Sequence, residues 1–186
     1  MFKKVSVVGL GLIGGSMAAG MRKRGIVERI SAFDASPEAL QNGLERHVID
    51  EKADSIEACV LESDLVVLAV PVLSIRETLV SLKAVFEDGS SIVTDVGSVK
   101  SPIIETAEDL FGELPKNLVP GHPIAGSEKH GVNAANPDLF EGHKVILTPT
   151  NSVSEQAINT ITALWQDLGA NVIQMTAGHH DGIFAQ

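Results

Sequence analysis

The stretch KVSVVGLGLIG, residues 4–14, decides the fold of this 186-residue chain. Its first half has the composition of a short buried strand, and its second half has the glycine spacing G-x-G-x-x-G. A helix-forming stretch follows to Arg24, and a second predicted strand, residues 29–33, ends directly before Asp34. A strand, a glycine-rich turn, a helix and a second strand in this order are typical of a dinucleotide-binding βαβ unit.

Each glycine of this turn has its own expected role. Gly9 permits the tight turn, Gly11 lets a pyrophosphate approach the backbone, and Gly14 lets the helix pack on the strand. The free N–H groups and the dipole at the helix N-terminus favour an anion there. We therefore predict a dinucleotide site formed by Gly9, Gly11, Leu12, Ile13, Gly14, Asp34, Val70 and Pro71.

Asp34 indicates which dinucleotide binds. It lies twenty residues after Gly14, where an acid accepts hydrogen bonds from the ribose hydroxyls. A 2′-phosphate would be repelled there, and the next residues, 35–37, supply no arginine. The pattern predicts NAD rather than NADP. The alternative, a glycine-rich turn with a chance acid, is disfavoured because all the elements of the motif are in register.

The rest of the chain alternates between predicted strands and helices. Residues 65–70 form a continuous apolar run, which is typical of a parallel strand buried on both faces. Further strands are expected at 91–95, 118–120, 144–148 and 171–174, and helices at 36–46, 55–61, 75–86, 102–111 and 154–168, with a loop at 47–54. This alternation predicts an α/β fold with a doubly wound, mostly parallel sheet of the Rossmann type.

Two regions are expected from this pattern. Residues 1–175 form the NAD-binding domain, in which Trp165 is a core residue. Residues 176–186 form the first turns of a helix that leads to an absent helical dimerisation domain.

Composition narrows the possible partners. The net charge of −10, from 14 basic and 24 acidic residues, argues against nucleic acid or an anionic membrane. The single cysteine, Cys59, fits a reducing cytoplasm and has no basic neighbour that would make it a catalytic thiol. No apolar stretch is long enough to span a membrane. The six histidines lack the spacing of a metal cluster, so no metal is predicted.

Three polar segments follow predicted strands or open the last helix: 95–100, 121–129 and 179–181. Ligands of such sheets bind beyond the carboxyl ends of the strands, so we expect these segments to meet over the nicotinamide. His122 is the candidate base, because an imidazole titrates near neutral pH. From its position alone, His122 could equally well be a structural residue at the turn before Pro123.

These motifs resemble the prephenate/arogenate dehydrogenase family. The resemblance covers nearly the whole chain and rests on GLGLIGGS at 9–16, Asp34, DVGSVKS at 95–101, GHPIAGSEKHG at 121–131 and HHD at 179–181. It implies a cytoplasmic enzyme of tyrosine biosynthesis that converts prephenate to 4-hydroxyphenylpyruvate. A hydride leaves the ring carbon bearing the 4-hydroxyl for NAD⁺, the carboxylate leaves as CO₂, and the ring becomes aromatic.

The resemblance also implies roles for single residues. His122 accepts the hydroxyl proton, and Ser98 either holds its tautomer or contacts the same hydroxyl; Ser98 could instead cap the following helix. Glu128 and Asp181 are implied as gating or orienting acids, with solvated loop charges as the alternative. Successive helical residues point about 100° apart, and the family pattern selects His180 over His179.

The positions of the lysines and arginines indicate which cations could bind a substrate carboxylate. Lys100 and Lys129 are the nearby cations that could meet a substrate carboxylate, although solvated surface lysines are commoner. All five arginines lie within the first 76 residues, whereas family members use an arginine of the helical domain. We therefore expect this chain to bind NAD, to turn over poorly alone, and to belong to a homodimer formed through the missing helices.

Three alternatives remain at this point. Arogenate could be the substrate instead of prephenate. A β-hydroxyacid-type NAD dehydrogenase would share the fold but use a catalytic lysine on a later helix. A redox sensor would bind NAD without chemistry.

Overall fold

The computed structural model describes residues 1–89, 91–126 and 131–184. Helices and strands alternate through these residues, with two additional 3₁₀ turns at Val72–Ser74 and Val132–Ala134. The strands are β1 (Phe2–Val8), β2 (Val27–Phe33), β3 (Glu51–Lys52), β4 (Leu65–Leu68), β5 (Ile92–Asp95), β6 (Leu118–Pro123), β7 (Lys144–Leu147) and β8 (Asn171–Gln174). The helices are α1 (Leu12–Lys23), α2 (Pro37–Glu45), α3 (Ile56–Val60), α4 (Ile75–Ser81), α5 (Lys83–Asp88), α6 (Ser101–Phe111), α7 (Glu155–Asp167) and α8 (Ala177–Phe184).

The described strands form one sheet in the order β3-β2-β1-β4-β5-β6-β7-β8. All neighbouring pairs are parallel except β6 and β7, which run antiparallel. The predicted doubly wound, mostly parallel sheet is therefore confirmed. The chain reverses its direction of progress across the sheet between β1 and β4, and ligands of such sheets bind at this switch point.

Besides shifts of one or two residues at element ends, the structure differs from the sequence prediction in three places. The predicted loop at 47–54 contains β3, which is only two residues long and pairs Ser31 with Glu51. The predicted helix 75–86 is interrupted at Leu82, whose ψ of 6° ends α4 before α5 begins. Strand β6 continues beyond Pro120, where we expected it to end. The Pro120 carbonyl still accepts a hydrogen bond from Thr148, so a missing N–H does not stop the ladder.

The core lies on both faces of the central strands. Val5, Val7, Val66 and Val67 are fully buried, as expected for parallel strands covered by helices. The prediction that Trp165 is a core residue is confirmed: its ring is fully buried and packs edge-on against Phe140, with the centroids 5.0 Å apart. Cys59 is also buried, and burial raises the pKa of its thiol, which makes it a poor nucleophile.

Residues 131–142, between β6 and β7, pack on the outer side of α1. The Ser16 hydroxyl accepts a hydrogen bond from the Asn136 N–H, and Arg24 donates to the Pro137 carbonyl at 2.8 Å. A Cβ atom on Gly20 would lie 2.9 Å from that same carbonyl oxygen. The small residues of α1 thus allow close contact on both sides, and the contact fixes the helix whose N-terminus faces the candidate dinucleotide site.

Candidate active site

The glycine-rich turn between β1 and α1 has the geometry of a dinucleotide cradle. Gly9 has φ of +96°, and a Cβ atom there would lie 2.4 Å from the Ala69 carbonyl oxygen. A Cβ atom on Gly14 would lie 2.1 Å from the Gly9 carbonyl oxygen, so only glycine lets α1 pack this closely. By contrast, a Cβ atom on Gly11 would have no atom within 4 Å, which leaves room for a ligand against the backbone.

The N-terminus of α1 is free to bind an anion. Gly11 is its N-cap and supplies no side chain, and the first turn of the helix contains no acidic residue. The first N–H groups of a helix have no partner within it and carry a partial positive charge. This end of α1 therefore fits a diphosphate.

A cavity of about 690 Å³ adjoins this turn. Among the predicted site residues, it is lined by Gly9, Gly11, Asp34, Val70 and Pro71. Leu12 and Ile13 lie in the first turn of α1 but do not line the cavity.

Backbone N–H groups hold the carboxylate of Asp34 in place. One oxygen accepts from the N–H of Leu10 at 2.6 Å, and the other accepts from the N–H of Ser36 at 2.7 Å. An ionised carboxylate has about four acceptor positions, so two remain for the hydroxyls of a ribose. Asp34 is thus held in place, and its role as the acceptor of ribose hydroxyls stays a prediction.

A second cluster contains three side chains from β6 and α8. Nδ1 of His122 lies 2.8 Å from Nε2 of His180, and Nδ1 of His180 lies 2.7 Å from a carboxylate oxygen of Asp181. His180 is fully buried while His179 is exposed, as the predicted choice between them requires. Phe184 packs on both imidazoles, with centroids 6.1 Å from His122 and 5.2 Å from His180.

Asp181 is anchored at the N-terminus of α6. Its two carboxylate oxygens accept from the N–H groups of Lys100 at 2.9 Å and Ser101 at 2.8 Å. Burial opposes its ionisation, but hydrogen bonds from Ser101, His180 and the backbone outweigh burial and hold its pKa well below the usual range. Asp181 is therefore a carboxylate at neutral pH.

These contacts fix the protonation pattern of the cluster. Since Asp181 is ionised, it can only accept a hydrogen bond. Nδ1 of His180 therefore carries a proton and donates a hydrogen bond to the carboxylate. In the tautomer in which Nε2 of His180 is an acceptor, Nδ1 of His122 is the donor to it. Nε2 of His122 is left with a lone pair, ready to accept a proton.

His122 is neutral at physiological pH. Burial lowers its pKa to about 4, with further contributions from His180 and the Lys100 ammonium, while Asp181 opposes the shift. His122 also lines an open crevice of about 380 Å³. The other residues around this crevice are Pro123, Ile124, Ala125, Gly126, His143 and Phe184. A neutral imidazole beside a crevice is suited to act as a general base.

Ser98 does not hold the tautomer of His122, which was one of its two predicted roles; contact with the substrate hydroxyl stays a prediction. Its side chain is exposed, and within residues 1–89, 91–126 and 131–184 it makes no hydrogen bond to His122. The contact that fixes the tautomer comes from His180 instead. Ser98 does not cap α6 either, because the N-cap is Lys100 and its N–H donates to Asp181. Ser101, which we did not predict, is the serine that belongs to this cluster.

Lys100 requires a second correction. It is neither a solvated surface lysine nor open to a substrate carboxylate, because its side chain is fully buried. Its ammonium donates to the Asp95 carboxylate and, at 2.7 Å, to the Gly121 carbonyl. Asp95 also accepts from the N–H groups of Gly97 and Gly121. This ion pair joins the end of β5 to the residue before His122.

The remaining predicted residues fall into two groups. Glu128 and Lys129, with His130, lie outside the described residues. His47 and His143 are exposed, and His143 also borders the crevice of His122. In the part of the chain that the structure describes, no group of His, Cys, Asp and Glu has the arrangement of a metal site, and no helix is long and apolar enough to cross a membrane.

The family model for the nucleotide-binding domain of prephenate dehydrogenase matches residues 17–174. The chain belongs to this family. The stated resemblance to prephenate and arogenate dehydrogenases is therefore confirmed at the family level.

Individual prephenate and arogenate dehydrogenases match nearly the whole length of this chain. Prephenate dehydrogenase of Bacillus subtilis is 38% identical over 184 residues, which are 96% of this chain and 48% of that enzyme. The crystal structure of Aquifex aeolicus prephenate dehydrogenase with hydroxyphenyl propionate and NAD⁺ has a TM-score of 0.90 and 36% identity, covering 99% of this chain and 63% of that one. The crystal structure of Synechocystis arogenate dehydrogenase has a TM-score of 0.84 and 29% identity, and the match covers 98% of this chain and 63% of that one. The chain thus spans between about half and two thirds of the length of these relatives.

Proposed function

We propose that residues 1–175 bind NAD⁺ and that the whole protein oxidatively decarboxylates prephenate to 4-hydroxyphenylpyruvate. The observation that carries this proposal is the hydrogen-bonded series His122–His180–Asp181 in a domain that also contains a dinucleotide cradle. The crystallised Aquifex relative was solved with NAD⁺, which supports the choice of cofactor. The fixed carboxylate of Asp34 supports NAD over NADP.

His122 accepts and then returns the one proton that moves in this reaction. NAD⁺, held by the glycine-rich turn and Asp34, would supply the acceptor for the hydride that leaves the ring carbon bearing the hydroxyl. Nε2 of His122 accepts the proton of that hydroxyl, and it returns the proton to the phenolate oxygen once CO₂ has left. Because the same proton leaves and returns, the reaction needs no external proton. Loss of the hydride and of CO₂ makes the ring aromatic.

The two residues behind His122 stabilise the charge that this step creates. When Nε2 of His122 accepts a proton, the imidazolium donates from Nδ1 to His180, and His180 donates to the Asp181 carboxylate. The negative charge at the end of this series lowers the energy of the protonated state. His180 and Asp181 are positioning residues in this scheme, and they also hold the tautomer of His122.

The substrate's carboxylates require cations other than Lys100, whose ammonium is already paired. We propose that an arginine of the part of the protein beyond residue 186 binds one carboxylate, since a guanidinium matches its geometry. We also keep Lys129 and Glu128 as predicted substrate or gating residues. The same remaining part is proposed to form a homodimer interface, and the enzyme to be cytoplasmic.

Arogenate is the second candidate substrate. The structural similarity to Synechocystis arogenate dehydrogenase favours keeping it. Prephenate and arogenate share the ring at which hydride and CO₂ leave, and they differ in a keto or amino group on the side chain. The described residues around His122 act on the shared ring, so both substrates fit the same proton chemistry.

The test is NADH formation from NAD⁺ by the longest protein that contains this chain, with prephenate and arogenate compared. His122→Asn is expected to lower kcat by about a hundredfold to ten-thousandfold, the range for loss of a general base. NAD⁺ binding, measured by calorimetry, should be unchanged. His47→Asn, at an exposed loop position, is the matched control. NAD⁺ binding without turnover of either substrate would instead favour the redox-sensor alternative.

A further inference from the structure

Two acidic side chains line the dinucleotide cavity beyond the diphosphate cradle. Asp34 follows β2, and Glu77 lies in the first turn of α4. Both border the same cavity of about 690 Å³, and none of the described residues that line it is a lysine, arginine or histidine. Asp34 is the predicted acceptor for the hydroxyls of the adenosine ribose. The part of the cavity between Asp34 and α4 is therefore assigned to the adenosine.

Glu77 is available to act on a ligand in this cavity. Its side chain is exposed, and within the described ranges its carboxylate makes no hydrogen bond or ion pair. Two polar neighbours on the same wall are already engaged. Thr78 donates its hydroxyl to the Ser74 carbonyl at 2.9 Å, and Ser81 helps to lower the pKa of the Glu57 carboxyl.

The nearest arginine in sequence does not neutralise Glu77. Arg76 extends to α6, where it pairs with Asp109 at 2.6 Å, and it does not line the cavity. The charge of Glu77 therefore adds to that of Asp34. Since the whole chain has a net charge of −10, the background potential has the same sign.

We propose that Glu77 is a second cofactor-selectivity residue, which acts with Asp34 to exclude an adenosine that carries a 2′-phosphate. The proposal rests on the proposed NAD⁺ function of the domain. A 2′-phosphate carries about −1.5 to −2 charges, and charges within roughly 10 Å interact appreciably at moderate salt. Asp34 accepts the ribose hydroxyls directly, whereas Glu77 acts by repulsion across the cavity. Removing Asp34 alone should therefore leave part of the discrimination intact.

The experiment compares 5′-AMP with adenosine 2′,5′-bisphosphate, two probes that differ only in the 2′-phosphate. Their Kd values are measured by calorimetry for the unaltered chain, Glu77→Gln and Glu77→Lys. Glu105→Lys, at an exposed position of α6 outside the cavity, is the control for the change in net charge. NAD⁺ binding to the unaltered chain is measured in the same series.

Glu77→Gln is expected to lower the ratio of the bisphosphate Kd to the 5′-AMP Kd by about threefold to tenfold. Glu77→Lys should lower the ratio further, and both effects should shrink as salt is raised. Glu105→Lys should change the ratio by less than about twofold. The proposal is overturned if Glu77→Lys changes the ratio no more than Glu105→Lys does, or if both probes respond equally. Failure of the unaltered chain to bind NAD⁺ would instead contradict the proposed function itself.

Discussion

Nδ1 of His122 lies 2.8 Å from Nε2 of His180, although 58 residues separate them in the chain. The contact joins β6 to α8, and Asp181 joins α8 in turn to the N-terminus of α6. Contacts among β6, α6 and α8 thus hold His122 in the orientation that leaves its Nε2 free to accept a proton. The proposed role of His122 as a base therefore depends on His180 and Asp181, which hold its ring.

Replacing His180 tests this dependence. His180→Asn is expected to lower kcat by about tenfold to a hundredfold with little change in KM, because the tautomer of His122 is no longer fixed and the imidazolium loses its partner. The pKa of His122 should also shift, because His180 is among the groups that set it. Steady-state kinetics over a pH series measures both effects.

His179→Asn, one position earlier on the exposed side of α8, is the control for His180→Asn. It should leave the pH profile of the enzyme unchanged. A purely structural role for His180 would lower the amount of folded protein without moving the pKa that the profile reports. That result would contradict the positioning role.

The low pKa of His122 predicts an acid-tolerant reaction. The imidazole must be neutral to accept the proton, and its pKa is lowered from 6.5 to about 4. We therefore expect kcat/KM to stay level as pH falls to about 5 and to decline through pH 4. An apparent pKa near the ordinary value of 6.5 in the kcat/KM profile would show that burial does not act on His122 as the structure indicates.

Stability should depend on the same group, but over a wider pH window than activity. The folded state holds His122 with a pKa of about 4, below the ordinary value of 6.5, so the unfolded chain binds the proton more readily. The contribution of neutral His122 to stability is complete above pH 6.5 and is lost as pH falls toward 4. It amounts to roughly 1 kcal/mol, because the ring is partly exposed and solvent screens it. In urea titrations, His122→Asn should flatten this part of the stability profile.

The dinucleotide half of the molecule was predictable from sequence because its contacts are local. Gly9, Gly14 and Asp34 lie within one βαβ unit, where the spacing of residues determines which atoms meet. The alternation of strands and helices likewise predicted the sheet, and only short features such as β3 and the break at Leu82 were missed. Hydrophobic periodicity does not resolve elements of two residues or a single non-helical ψ.

The catalytic half was predictable in its residue types but not in its contacts. Ser98 and Lys100 lie in the polar segment after β5, where sequence alone gives no choice between serines or between a solvated and a buried lysine. Lys100 is buried because its ammonium pairs with Asp95 and the Gly121 carbonyl. Ser101 joins the cluster because the Asp181 carboxylate accepts from N–H groups 80 and 81 residues away. Such long-range contacts follow from the packing of α8 against α6, which no local pattern encodes.

The buried ion pair of Lys100 and Asp95 should be the most sensitive charge interaction among those described near the site. Lys100→Met removes the ammonium but leaves the Asp95 carboxylate in the interior, which costs about 3–5 kcal/mol of unfolding free energy. The pair Lys83–Glu87 is a natural comparison, because its atoms lie 3.7 Å apart on the exposed surface of α5. Lys83→Met should cost less than about 0.5 kcal/mol. Urea denaturation of the two variants measures the difference.

A double variant separates lost charge pairing from lost packing. Lys100→Met with Asp95→Asn leaves no unpaired charge, so it should recover part of the stability that Lys100→Met loses. The amide introduced by the second substitution still offers one oxygen to the N–H groups of Gly97 and Gly121, which accounts for incomplete recovery. The pKa of His122 should rise in both variants, because the Lys100 ammonium contributes to lowering it. Equal unfolding free energies for Lys100→Met and Lys83→Met would mean that the pair contributes no more than a surface contact.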